Sequence, residues 1–434
     1  MDQELKLKGN YLAPLFSSWL VGLVGIFRCG TLLFLPWDDY SAVDHEAAQT
    51  VNDDPPEQPL DQNVKRTPVG GGTPTAANRR AETQQPRLLP RPRWAPIRDA
   101  PLTFDTTAEL EAFLAQLEQL LGEELRARRY NTLGNLLRFY GDYKRRGSSS
   151  SLASFLRNYP ATVVEEGLSC VGLSLHLCGA MERRFPQARP FLVSCEEWIP
   201  DVASYCSHDP PDASSVKEHV LVALRVLVHR GSRRGLVLLD PGYHVGFPVV
   251  VMDDGRAPHS GHFIQSHTSK STKEYCYEAV GEGYVLWRVT ETRMGSSKTW
   301  DNVLYVGGAF QSALAYSEKR NLLYDFRTLV ARRDGRGPTA GVYCKLDEMN
   351  RNPVFTLFYT KDGQRTEAKL PFGSFGRNAT DAVPSAEVAE CAEEVGMASG
   401  ELLQLLSGVA DLYEDIDFVN QLLDLNRKVD PFEG

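Results

Sequence analysis

Cysteine is scarce in this chain and never stands in a CxxC pair. The eight in 434 residues are Cys29, Cys170, Cys178, Cys195, Cys206, Cys276, Cys344 and Cys391. That density excludes a disulfide scaffold, and the lack of close pairs excludes a structural zinc site of the usual spacing. Positive charge is not in excess either. The 47 basic residues are outnumbered by 56 acidic ones, for a net charge of −9. A chain that bound nucleic acid over its surface would lean the other way, so no nucleic-acid partner is expected. The 42% hydrophobic and 24% charged shares are ordinary for a globular protein. They exclude a wholly disordered, collagen-like or multi-spanning membrane chain. The length fits one large domain with appendages.

The appendages come first. Residues 11–37 are mostly apolar and carry one charge, Arg28. A spanning helix needs about 20 such residues, so the segment is long enough. Lys6 and Lys8 precede it, and no Lys or Arg follows from 38 to 57. The positive-inside rule would keep the N-terminus cytosolic and the rest outside. Residues 1–37 are therefore read as a membrane anchor or as an apolar segment docked on the protein. Localisation stays open between membrane-anchored and cytoplasmic. Residues 38–100 are rich in Pro, Gly, Thr, Asn, Gln and Asp and show no apolar period, which predicts a disordered linker. Within it the run Pro86–Pro90, with flanking arginines, is read either as a motif for an SH3-type partner or as a solvated spacer.

Residues 101–378 read as the main domain. Thr106 or Thr107 can cap a helix in which Leu110, Phe113, Leu114, Leu117, Leu120 and Leu121 recur at helical spacing. Further helical stretches follow over 133–143 and from Ser151 to before Pro160. Between 219 and 375, β-rich runs (HVLVALRVLV, GLVLLD, GYVLWRV, NVLYVG, PVFTLFYT) alternate with turn residues. Helices followed by strands predict an α+β architecture. Residues 379–434 return to helix, with an apolar stripe from Leu402 to Leu423 that should pack on the main domain.

Three local features carry chemistry. Gly167 and Ser169 break the chain just before Cys170, and a buried helix is expected after it. A cysteine at a helix N-terminus meets unpaired N–H groups and the positive end of the helix dipole, both of which favour the thiolate nucleophile. His219 opens a long β-run, and Asp240 closes the next one before Pro241–Gly242. An antiparallel hairpin brings His219 and Asp240 to one edge. Counting simple pairs leaves Asp240 a few residues short of His219, so a bulge or strand bend is expected. The three residue types form a nucleophile–base–orienter set: Cys170 supplies sulfur, His219 moves the proton, and Asp240 fixes the imidazole. His176 and His244 are the alternative bases. Each residue also has a plain reading: a buried apolar cysteine, a satisfied core histidine, a turn aspartate. His259, His262 and His267 lack an acid or cysteine at matching spacing and are read as a polar loop, with no metal.

The order Cys at a helix start, His opening a strand and Asp ending the next resembles the papain-like fold of transglutaminase-like proteins and arylamine N-acetyltransferases. The LLDPGY stretch is similar to the triad-aspartate stretch of both. The helical segment before the cysteine and the aromatic β-rich region after the aspartate (YVLWRV, TWDNVLYV, NLLYDF) look more like the acetyltransferases. The likeness spans roughly residues 105–378. Where that family has Arg-Gly-Gly-x-Cys, this chain has Gly167-Leu168-Ser169-Cys170, and the family's Pro-Phe-Glu-Asn stretch is not visible. The resemblance implies acyl transfer through a thioester on Cys170, with acetyl-coenzyme A as donor, no tightly bound cofactor, and an amine or amide substrate, small or peptidic. A transglutaminase-like peptidase or amidase with the same triad is the second reading. An inactive papain-like domain acting as an interaction protein is the third. If the domain lies outside the cell, Asn378-Ala379-Thr380 is a glycosylation acceptor.

Overall fold

The computed structural model describes residues 27–28, 31–32, 87–147, 151–212, 217–267, 271–332, 337–347, 350, 352–361, 364–376 and 385–429. Apart from a two-strand pairing of Phe27–Arg28 with Thr31–Leu32, the apolar segment 11–37 lies outside the described residues, as does most of the expected linker. Among the described residues no helix is long and apolar enough to cross a membrane.

The architecture is α+β, with a large curled antiparallel sheet and a smaller one. The large sheet is nine-stranded. Its order runs His262–His267, Ser271–Val280, Tyr284–Arg293, Ser296–Tyr305, Phe191–Glu196, His219–Val228, Arg233–Leu239, Val249–Met252. The short strand Leu102–Phe104 adds in parallel to the far half of His219–Val228. Ser271–Val280 alternates buried and less buried residues along STKEYCYEAV, the period of a strand with one face covered. His219–Val228 is apolar almost throughout because both of its faces are covered.

On one face of this sheet lie the helices Thr107–Ala127 and Cys170–Arg184. Leu110, Leu117, Leu121, Leu177 and Met181 pack there on Val222, Leu224 and Val226. The other face curls around an aromatic interior of Tyr243, Tyr275, Tyr277, Trp287 and Trp300. The smaller, five-stranded sheet runs Gln364–Pro371, Val354–Lys361, Ala340–Lys345, Phe326–Ala331, Tyr130–Asn131. Its core is completed by the C-terminal helices: Val388, Cys391, Leu402, Leu406 and Val409 close on Leu329, Phe355 and Leu357. The helix Ile416–Val429 packs Phe418, Val419 and Leu422 on Phe139, Phe155 and Leu156.

Two expectations are corrected. The linker was expected to reach residue 100, yet residues 88–100 group with the main domain. Trp94–Pro96 pairs with Gly308–Phe310, and the Arg93 amide donates to Ser312 Oγ at 3.0 Å. A three-residue strand has no period to detect, and its partner lies over 200 positions away. The histidine-rich stretch is not a loop but the edge strand His262–His267, paired with Ser271–Val280 through a register shift near Ile264.

The shared core makes the C-terminal helices part of the domain. Leu406 is wholly buried among them. Leu406→Ala should cost about 2–5 kcal/mol in chemical denaturation. An unchanged midpoint would mean that these helices form a separable tail.

Candidate active site

Ser169 explains where the Cys170 helix starts. Its backbone is extended and its side chain accepts from the Val171 amide at 3.1 Å, an N-cap that makes Cys170 the first helical residue. Ser174, one turn on, donates to the Val220 carbonyl at 3.1 Å. That bond fastens the helix to the strand residue next to His219. The chain enters the strand through a buried ion pair, Lys217 Nζ to Glu196 Oε2 at 2.9 Å.

His219 and Asp240 meet directly. Nε2 of His219 lies 2.9 Å from Asp240 Oδ2, with both residues buried. The anticipated bulge is absent. The hairpin register is continuous to its last pair, Val222 with Leu239. Extending it puts Asp240 opposite Leu221, on the face that His219 shares. The contact is therefore a diagonal across the pair, a distance that an imidazole and a carboxylate can span. The turn after the strand secures the other oxygen: the Tyr243 amide donates to Asp240 Oδ1 at 2.9 Å. Arg332 Nη1 holds the turn from outside by donating to the Pro241 carbonyl at 2.7 Å.

With Nε2 engaged by Asp240, Nδ1 is the ring nitrogen left for the sulfur, and His219 hydrogen-bonds with Cys170. Burial alone would lower the imidazole pKa. The charge and hydrogen bond of Asp240, with the Cys170 contact, outweigh it and push His219 up to about 10. Gly242 seals the contact. A Cβ there would stand 2.7 Å from Cys170 Cβ and 2.9 Å from His219 Cε1. Tyr243 meets the His219 ring edge-on at 4.5 Å, and Trp287 lies beyond at 6.3 Å.

The structure thus brings together the three residues singled out in the sequence. It does not place them in an open cleft. Cys170 is 1% exposed, His219 0% and Asp240 4%. The alternative bases stand elsewhere. His176 is half-buried on the Cys170 helix, 3.3 Å from Glu165. His244 is buried against Tyr130, accepts at Nδ1 from Arg332, and is held well below the usual imidazole range by burial and by that guanidinium. His259 accepts from the Met252 amide, and His262 pairs with Glu274.

Four further polar groups at the site carried no sequence signal. Glu318 accepts from Ser169 Oγ and, at 3.0 Å, from Asn135 Nδ2. Asn321 Nδ2 points at Cys170 Sγ from 3.6 Å. Glu318 ends a π-helical turn, Ala313–Glu318, and Asn321 follows it; Ser317 Oγ on that turn donates to the Lys217 carbonyl at 2.7 Å. Such turns are rare and often mark functional sites.

No family model and no curated protein matches the chain. Among solved structures it is similar to the arylamine N-acetyltransferase of Nocardia farcinica. The identity is 11%, over 69% of this chain and 89% of that one, with a TM-score of 0.36. That remote likeness carries no argument about chemistry, so the site stands on its own geometry.

Two outcomes follow from that geometry. Gly242→Ala should displace the sulfur from the imidazole and cost about 1–3 kcal/mol, because neither contacted atom is a flexible side-chain end; undiminished stability and thiol reactivity would refute the close approach. The second concerns pH. Because the folded His219 pKa is raised, its ion pair contributes stability fully below the unfolded imidazole value, about 6.5, and loses it as pH rises through about 10. Asp240→Asn should flatten that alkaline loss in a denaturation series. An identical profile in both proteins would show that the pair does not titrate.

Proposed function

We propose that this protein is a cysteine-nucleophile acyltransferase that works through a thioester on Cys170. The supporting observation is the line of contacts from a cysteine at the first position of its helix through His219 to Asp240. In this reading the Cys170 thiol passes its proton to His219 Nδ1. The thiolate attacks the acyl carbonyl of the donor, and the tetrahedral intermediate collapses as the imidazolium protonates the leaving group. The acyl group is then on sulfur. An acceptor amine attacks the thioester, His219 takes the amine proton, and the thiolate is released. Asp240 holds the ring in one tautomer.

Acetyl-coenzyme A is the first donor to try, on the motif likeness. Small amines and peptide amines are the acceptors to try. Access to Cys170 requires movement of the turn carrying Gly242 and Tyr243, which lies against Cys170 Cβ and the imidazole.

The burial of the sulfur favours a second reading, an inactive domain in which the same contacts are structural. Intact-protein mass spectrometry after incubation with acyl thioesters separates the two. Acyl transfer predicts one added acyl group on Cys170, lost on adding an amine, and no addition in Cys170→Ala. Unmodified wild type across a panel of thioester and amide donors would leave the structural reading. Acylation by amide but not thioester donors would point to the peptidase or amidase.

A further inference from the structure

We propose that Asn321 is a further catalytic residue: its side-chain amide donates a hydrogen bond to Cys170 Sγ and stabilises the thiolate. The proposal deepens the acyl-transfer reading and rests on it. The thiol proton goes to His219 Nδ1, and the negative charge left on sulfur then faces an N–H dipole.

The geometry carries this assignment. Asn321 is 1% exposed, and Nδ2 lies 3.6 Å from Sγ. An amide nitrogen can only donate, and a thiolate accepts far better than a thiol. The donor is also built in rather than incidental. Arg327, itself buried, forks onto the Asn321 and Leu322 carbonyls at 2.8 and 2.7 Å and fixes that turn. Three residues earlier on the same segment, Glu318 grips the hydroxyl of Ser169, the cap of the Cys170 helix. Ser317 binds the carbonyl of Lys217, two residues before His219. One segment, 317–321, therefore gauges the position of the nucleophile helix and of the base strand while pointing a donor at the sulfur. Glu318 acts as a positioning residue. Burial, relieved in part by the Ser169 hydrogen bond, pushes its carboxyl up to about 7, so its charge opposes the nearby thiolate less than an exposed carboxylate would. The thiolate of Cys170 thus faces His219 from the strand and Asn321 and Glu318 from the segment.

The test reads the sulfur itself, with no acyl donor. Thiolate formation is followed by ultraviolet absorbance against pH, each protein referenced to its own Cys170→Ala counterpart. Asn321→Leu keeps the volume and removes the donor. The midpoint of Cys170 ionisation should rise by about one to two pH units. Asn321→Asp keeps the shape but replaces donors with acceptors, and should raise it at least as far. Thermal melting of both variants confirms the fold. An unmoved midpoint in a folded Leu variant overturns the proposal. If that variant does not fold, an unmoved or lowered midpoint in the Asp variant overturns it. Raised midpoints without acyl transfer by the wild type would sink the acyltransferase reading and leave this contact standing. Transfer with unmoved midpoints would do the reverse.

Discussion

The hydrogen bond between His219 and Asp240 constrains everything around it. An imidazole with no exposure must have its polar atoms satisfied, or its burial costs on the order of kcal/mol per orphaned group. Asp240 satisfies one nitrogen only because the hairpin register is unbroken, since a slip by one residue would turn its carboxylate to the other face of the sheet. The turn through Pro241 and Gly242 must then return the Tyr243 amide to the second oxygen. The remaining nitrogen needs a partner at the mouth of the strand, and the Cys170 helix supplies it because Ser174 ties that helix to Val220. Register, turn and helix position are one coupled condition. Gly242 is where the three elements touch, and only hydrogen fits there.

The parts of this arrangement that announce themselves locally were legible in the sequence. The break at Gly167 and Ser169, the unbroken apolar run after His219 and the Asp-Pro-Gly stop each punctuate a short stretch of chain. They fixed the start of a helix, the start of a strand and the end of another. From these the shared edge of His219 and Asp240 followed by counting. The bulge expected between them was an error of geometry. Counting directly opposed pairs ignores the diagonal neighbour, and a ring facing a carboxylate reaches that far. The leucine spacing of Thr107–Ala127 was readable for the same reason, since it repeats within its own element.

What stayed hidden is long-range and aperiodic. Asn321, Glu318 and Asn135 reach the site from positions far from Cys170 in the chain, and nothing in NLLYDF or in the residues before it marks an amide aimed at sulfur. The π-helical turn that aims it departs from the period on which helix reading depends. Trp94–Pro96 was lost in proline-rich sequence because its partner strand lies over 200 positions away in the chain. Composition there is that of a spacer, and only the partner strand Gly308–Phe310 makes it ordered.

Burial of the sulfur would by itself suggest a structural cysteine, but the hydrogen bonds around it run in the opposite sense. Cys391 is also wholly buried, and it donates, its thiol facing the carbonyl of Gly341 at 3.5 Å. Burial pushes that thiol up to about 12. Cys178, on the same helix as Cys170, is likewise pushed up to about 12 by burial. Such sulfurs stay protonated, as inert cysteines do. Cys170 instead accepts from the amide of Asn321, shares a hydrogen bond with His219, and sits on the first turn of its helix. A protonated thiol, a poor acceptor, gains little from such surroundings, whereas a thiolate gains from all of them. In a low-dielectric interior those terms strengthen. A closed site built around acceptance is thus physically suited to hold a charged sulfur.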